Sequence, residues 1–250
     1  MYTFNKHVRW RKDINNMLIC DCKRLIDLKI PLDYEITMKK IERGIDEKDL
    51  REREEFLIKD FKNLKLLANL EIRAIRKNEF NSAMKLLDRE LKIRVRTNKF
   101  LFEKFKEFGE LFIGVFLDNE IIGLVCGFPR EDYVLMSEIA VDERFQKRGF
   151  GKRLVKAFEQ KALKFGGKIN VGAMDNVIEF YKSLDYHPFL LIQFNNKDYS
   201  LKDFSSFRLI KTGSEFIEAE IKSCNINNLK GLRKKYSKAH FQYIFTKKIG

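Results

Sequence analysis

The sequence predicts a mixed α/β protein, and three observations predict it. Between residues 71 and 195, apolar runs suited to strands alternate with runs at helical spacing in the order β α α β β β α β α β. An Asp118-Asn119 pair separates LFIGVFL from EIIGLVCGF, the mark of a tight antiparallel hairpin. The segment QKRGFG, Gln146 to Gly151, puts two glycines between the strand-like YVLMSEIAV and the helix-like GKRLVKAFEQKALKFG.

From the N-terminus, HVRWRK, MLICDC and RLIDLKI read as a three-stranded meander between His7 and Ile30, turned at Asn15-Asn16 and at Cys22-Lys23. Pro31 ends it, because proline has no N–H to give a ladder. LDYEITMKKIERG follows as a helix with Leu32, Ile36, Met38 and Ile41 as its apolar positions and Gly44 as C-cap. A longer helix in IDEKDLREREEFLIKDFKNLKLLANL turns Phe56, Leu57, Phe61 and Leu64 inward. Residues 1–70 are therefore expected to form a small lobe, strands first and helices after. That order resembles a winged-helix module or the peptide-binding domain of pyrroloquinoline quinone biosynthesis.

EIRAIRKNEF opens the central region, 71–195, as a short strand with a polar turn. Helices are expected in EFNSAMKLLDREL and in TNKFLFEKFKEFG, the second closed by Gly109. The hairpin and the strand YVLMSEIAV come next, then the glycine loop and a helix with Leu154, Ala157, Phe158 and Leu163 along one face. A strand in KINVGAM, a helix in NVIEFYKSLDY and a strand in FLLIQF complete the region. Beyond it, residues 196–250 read as a strand that finishes the sheet and a small basic β-β-α-β lobe. Lys230, Arg233, Lys234, Lys235, Lys238, Lys247 and Lys248 there stand among Tyr236, Phe241 and Tyr243, a pattern that suits either a nucleic acid or an acidic protein, or else a solvated helix face.

Bulk properties set bounds. The 250 residues, 44% apolar, suffice for a packed core, and a formal charge of +14 favours anionic partners. The longest apolar runs fall short of the roughly 20 residues of a membrane span, so no membrane partner is expected and the chain is read as cytoplasmic. Three histidines lie far apart and four cysteines make no paired C-x-x-C set, so no metal centre is expected. Cys20 and Cys22 are either buried strand thiols or half of a soft-metal site.

Taken alone, the glycine loop is either an ordinary strand-to-helix turn or an anion cradle, in which residues without Cβ let successive N–H groups converge at the positive end of a helix. Its context favours the cradle. IAVDERFQKRGFG resembles the signature of the GNAT acetyltransferase family, Q/R-x-x-G-x-G/A after a strand ending in a small residue and a valine. FYKSLDY resembles the family's second element, an aliphatic-Tyr-x-x-Leu-Gly-Phe end to the next-but-one helix. The resemblance covers about residues 71–195 and implies a GNAT fold, a mixed and largely antiparallel sheet flanked by helices.

The resemblance also implies acetyl coenzyme A as co-substrate. The main-chain N–H groups of Lys147, Arg148, Gly149, Phe150, Gly151 and Lys152, with Gln146 at the head of the loop, would hold the diphosphate, and the cations Lys147, Arg148, Lys152 and Arg153 would add attraction and reach toward the 3′-phosphate. Ile139, Ala140 and Val141 would hold the pantetheine arm as a pseudo-strand, and Asn176 would stand near the cofactor. Tyr181 matches the family tyrosine and would protonate the departing thiolate, with Glu138 as the base for the amine. Three departures stand out. Asp185 occupies the usual glycine position, which calls for strained backbone, KINVGAM has no acidic residue, and VGAMDNVIEFY is about two residues shorter before Tyr181 than in many relatives, which bears on whether Asn176 takes the family's asparagine position. The expected activity is transfer of acetyl to a primary amine of a protein, peptide or small molecule. The alternative is a regulator that senses acyl coenzyme A, with a winged-helix-like lobe for nucleic acid or peptide. Asp46, Glu47, Asp49, Glu52, Glu54 and Glu55 speak against DNA on that lobe, since like charges repel.

Overall fold

The computed structural model describes the chain except residues 13, 15, 25, 65, 92, 93, 95, 174–176 and 222–225. Two compact units emerge. The first comprises Met1–Cys126 and Glu138–Phe158, the second Gly127–Ser137 and Glu159–Gly250.

The first unit contains the expected meander, β2 (Val8–Lys12), β3 (Asn16–Asp21) and β4 (Ile26–Pro31), as a separate three-stranded antiparallel sheet. Alternation explains its two faces: Met17, Ile19 and Asp21 are buried, while Asn16, Leu18 and Cys20 are half-buried on the other side. Helices α1 (Glu35–Arg43) and α2 (Glu52–Asn63) pack on its inner face through Met38, Ile41, Leu57, Ile58 and Phe61. Glu54 fastens one helix to the other. Its buried carboxylate accepts from Thr37 Oγ1 at 2.9 Å, Lys40 Nζ at 3.0 Å and the Arg51 N–H at 3.0 Å. Three residues of this unit expected in the core are exposed instead: Ile36 and Phe56, because the buried stripe of each helix runs through its neighbours in the 3.6-residue period, and Leu64, which lies just past the end of α2.

A short strand, β1 (Tyr2–Phe4), pairs antiparallel with β5 (Leu67–Ala74), so the boundary expected at residue 70 falls inside a strand. The order continues through β6 (Phe112–Leu117) and β7 (Glu120–Pro129) to β8 (Val134–Val141). Asp118 and Asn119 turn the β6–β7 hairpin with φ of 46° and 71°, the backbone that a two-residue loop requires. Helices α3 (Phe80–Glu90) and α4 (Asn98–Phe108) cover this sheet, and Phe80 packs against Phe102, Phe105 and Phe112. Helix α5 (Phe150–Ala162) lies close against β7, where a Cβ on Gly123 would meet Leu154 at 3.2 Å and the Ala140 carbonyl at 3.4 Å.

The second unit runs β8, β9 (Lys168–Gly172), β13 (His240–Lys248), β10 (His187–Gln193), β12 (Phe216–Ala219), β11 (Leu209–Thr212), with α6 (Ile178–Lys182) after β9 and α7 (Ile226–Lys235) before β13. The last strand is thus inserted between β9 and β10 and pairs with both. The tail supplies the expected β-β-α-β order without being a lobe of its own. Its aromatics explain why: Phe241, Tyr243 and Phe245 alternate inward along β13 and are buried. Among the described residues, no helix is long and apolar enough to cross a membrane.

Candidate active site

Strand β8 and helix α5 are joined by the loop that the sequence singled out, and the loop is built from its ends. Asp142, just past β8, is buried, and its N–H donates to the Ile122 carbonyl of β7 at 2.9 Å. Its carboxylate accepts from the Arg144 N–H at 3.0 Å, from Arg144 Nε at 2.8 Å and Nη2 at 2.6 Å, and from Arg89 Nη2 of α3 at 2.7 Å. The Arg144 bond, with Arg89 behind it, holds this carboxyl below the ordinary aspartate value against the opposing effect of burial. Phe145 and Phe150 are buried with rings 6.5 Å apart, so each end of the loop is pinned by a phenyl group.

Between those pins the backbone is unusual. Gly149 has φ 87° and a Cβ there would meet nothing within 4 Å, so the glycine serves conformation and the space beside it is open. Lys147 shares the left-handed region at φ 62°, a cost of roughly 1–2 kcal/mol for a residue with a Cβ. The first main-chain bond of α5 is the Arg153 N–H to the Gly149 carbonyl at 3.2 Å. Among the described residues, the N–H groups from Lys147 to Lys152 have no acceptor, as the first turn of a helix requires. That is a set of donors without acceptors, beside open space at Gly149, at the positive end of a 13-residue helix, which fits a diphosphate.

Other members of the expected set are placed differently. Gln146 spends its side chain locally, its Nε2 donating to the Val141 carbonyl at 2.9 Å. Ile139 and Val141 are half-buried and Ala140 buried on β8, whose parallel ladder with β9 covers only Val134 and Leu135. Arg153 was expected to reach toward phosphate or water. Its guanidinium instead donates to the Gly44 carbonyl at 2.6 Å and to Met1 Sδ at 2.8 Å. Lys147 and Lys152 are exposed, and Arg148 is half-buried with its guanidinium 5.3 Å from the Phe145 ring centroid. Asn176 lies outside the described residues.

Glu138 is half-buried on β8, and burial raises its carboxyl above the ordinary value, while Arg94, Arg96 and the Arg96 N–H pull the other way. Arg94 and Arg96 come from the α3–α4 connection, which carried no motif. Arg94 is held by Asp88 and by Asn98 Oδ1 at 2.7 Å, and the Nε of each arginine is buried without an acceptor among the described residues. Burial, with the Glu138 charge behind it, pushes the neighbouring Cys126 thiol up.

Tyr181 sits in the second unit on α6. Its ring is buried against Phe180, Tyr186 and Phe245 at 5.1, 5.9 and 5.5 Å between centroids. Asp185 takes φ 63°, the strained turn that its place in the motif called for. Tyr186 completes the cluster; burial and the nearby Glu159 hold its phenol up.

Two readings are corrected here. Tyr236, Phe241 and Tyr243, which one of the two readings of the tail made available to bases, are buried, and Tyr236 donates to the Asp203 carbonyl at 3.2 Å. Several cations around them are engaged: Arg233 with the Phe241 carbonyl, Lys238 with Asp198, Lys247 with Glu159 and the Leu184 carbonyl. No nucleic-acid or acidic-protein surface is assigned to this tail. Cys22 is exposed rather than buried, with its Sγ 3.7 Å from that of half-buried Cys20. Among the described residues no group of three or more metal-ligating side chains is formed.

Residues 72–186 match the Acetyltransferase (GNAT) family, and this central region of the chain belongs to it. The class is therefore that of an acyltransferase, EC 2.3.1.-, with acetyl coenzyme A as co-substrate. A search of curated proteins finds no match. Among solved structures, Ard1 from Thermoplasma volcanium is 16% identical, with 72% of this chain and 98% of that chain covered and a TM-score of 0.49. Naa50 from Arabidopsis thaliana, in complex with a bisubstrate analogue, is 14% identical over 72% and 99%, TM-score 0.45. The ribosomal-protein-S18-alanine N-acetyltransferase from Escherichia coli is 16% identical over 63% and 99%, TM-score 0.43. Likeness at this level says nothing about the acceptor.

Proposed function

We propose that this protein moves acetyl from acetyl coenzyme A directly onto a primary amine of a protein, peptide or small molecule. The observation that carries the proposal is the open, donor-lined backbone of Lys147–Lys152 at the start of α5, inside the region that matches the family. When bound, acetyl coenzyme A supplies an acyl group already activated as a thioester. The loop N–H groups hold its diphosphate, with Lys147, Arg148 and Lys152 adding screened attraction. The main chain of Ile139, Ala140 and Val141 holds the pantetheine arm, a role supported by the β8–β9 ladder ending at Leu135.

Glu138 takes the proton that the attacking amine must lose. A carboxyl raised by burial is a better base near neutrality than an exposed one, because its proton affinity lies closer to that of the amine. Tyr181 returns a proton to the sulfur as the C–S bond breaks, and the close packing of its ring fixes where the phenol points.

Calorimetry with acetyl coenzyme A on the wild type and Gly149→Arg, followed by thiol release with peptides, polyamines and aminoglycosides, tests the proposal. Binding lost in Gly149→Arg, with amine-dependent release that falls in Tyr181→Phe, is expected. Binding without release from any amine would favour an acyl coenzyme A sensor. No binding would remove the cofactor site altogether.

A further inference from the structure

The small N-terminal sheet carries a pair of thiols that acetyl transfer does not use. Cys20 is the last residue but one of β3 and Cys22 begins the turn that follows, and their Sγ atoms lie 3.7 Å apart. The backbone holds them there. Asp21, between the two, is buried and accepts from the Lys23 and Arg24 N–H groups, each at 3.1 Å, while the Cys22 N–H donates to the His7 carbonyl at 3.1 Å. A disulfide sets its sulfurs about 2.0 Å apart, a shift within reach of side-chain rotation because Cys22 is exposed.

The two thiols have unequal surroundings. Cys22 is open to an oxidant from solvent. Cys20 is half-buried on the outer face of the sheet, opposite Arg9 of β2 on one side and Asp27 of β4 on the other, and all three line one depression of about 470 Å³. A hydrogen bond to the Asp27 carboxylate, with a second to Cys22, pushes the Cys20 thiol up to about 12, so it keeps its proton and has an acceptor for it alongside. Cys126, by contrast, is fully buried on β7.

We infer that Cys20 and Cys22 form a peroxide-reactive dithiol, reversibly oxidised to an intramolecular disulfide, which gives the N-terminal segment a modification site of its own. The Cys22 thiolate attacks one oxygen of hydrogen peroxide; the O–O bond breaks, hydroxide leaves, and Cys22 becomes a sulfenic acid. The Cys20 sulfur then attacks the Cys22 sulfur while its proton passes to Asp27. The S–O bond breaks, and the departing hydroxide takes up that proton as water. In sum, two thiols give up two hydrogens and two electrons, and one peroxide becomes two waters. A small thiol such as glutathione reverses the change by exchange, two molecules of it being oxidised to their own disulfide.

The test exposes the reduced full chain to a slight excess of hydrogen peroxide, alkylates the remaining thiols and maps the tryptic peptides by mass. The peptide ending at Lys23 should lose two hydrogens, regain them with dithiothreitol, and do so at least about tenfold faster than the Cys126 thiol is lost. Cys22→Ser should leave Cys20 reduced over the same time. Cys20→Ser should strand Cys22 as a sulfenic acid, which dimedone labels. Retention of both thiols in the wild type, a sulfinic Cys22 beside a reduced Cys20, or a disulfide from either residue to Cys126, Cys224 or a second chain overturns the dithiol. None of these outcomes bears on acetyl coenzyme A, so the proposed function stands or falls separately.

Discussion

The loop from Asp142 to Lys152 and the cluster around Tyr181 use different parts of the chain for function. On the proposed function, the working groups in the loop are main-chain N–H donors, with Gly149 in the left-handed region and Phe145 and Phe150 buried at the two ends. Around Tyr181 the proposed working group is a side chain, packed among Phe180, Tyr186 and Phe245, and β13, which supplies Phe245, comes from the far end of the chain. Main-chain donors demand a backbone conformation, and that demand leaves glycines at fixed spacing. A packed side chain demands neighbours, which leave no local trace. On the proposed assignments, diphosphate recognition is accordingly compact in the sequence, while the surroundings of the proposed acid are spread across it.

The comparison is sharpened most by Glu138→Gln, which removes the proposed base without touching the loop. Turnover, read as kcat/KM for thiol release, should fall about 100-fold, with acetyl coenzyme A affinity unchanged. A parallel loss of affinity would show that the two regions are not separable. The pH profile checks the same residue. Because burial raises the Glu138 carboxyl, the acid limb of activity should lie above the ordinary glutamate value of 4.5. For stability the sign is opposite: a raised carboxyl contributes in full below its unfolded value and loses that contribution as pH rises through the folded one. Chemical denaturation of Glu138→Gln should therefore show a gain over wild type that grows with pH.

Asp142→Ala should cost about 2 kcal/mol, measured by denaturant unfolding, since it leaves Arg89 and Arg144 without their shared buried acceptor. The lowered Asp142 carboxyl stabilises above its unfolded value and stops doing so as pH falls through the folded one, so the cost should shrink in acid. Tyr181→Phe should lower turnover about tenfold with unfolding free energy changed by less than about 1 kcal/mol. Unchanged turnover would make the tyrosine a packing residue only. Gly123→Ala should cost about 1 kcal/mol, because the new Cβ presses on Leu154 and the Ala140 carbonyl and α5 must shift slightly from β7.

Much of the fold was legible. The meander, the hairpin turned by Asp118-Asn119, helices α3 to α5 and the glycine loop all follow from period, turn chemistry and capping. So did the strain at Asp185, because a residue with a Cβ stands where the motif has glycine. What failed was any reading that needed to know a distant partner. Ile36, Phe56, Leu64 and Leu163 looked inward on spacing and are exposed, the reading that would have Tyr236, Phe241 and Tyr243 stack on bases meets buried rings, and Arg153 looked free for phosphate or water and is bound to Gly44.

By itself, then, the sequence determined the local devices: where strands and helices begin, where the backbone turns left-handed, and that a loop of donors follows a strand ending in Val141. These depend on the steric and hydrogen-bonding limits of a few consecutive residues. Only the tertiary structure decided that β13 threads between β9 and β10, that Asp142 gathers two arginines, and that Arg153 donates to the Gly44 carbonyl. Those outcomes depend on apolar faces seeking cover and charges seeking partners across the whole chain, and residue order does not limit which ones meet.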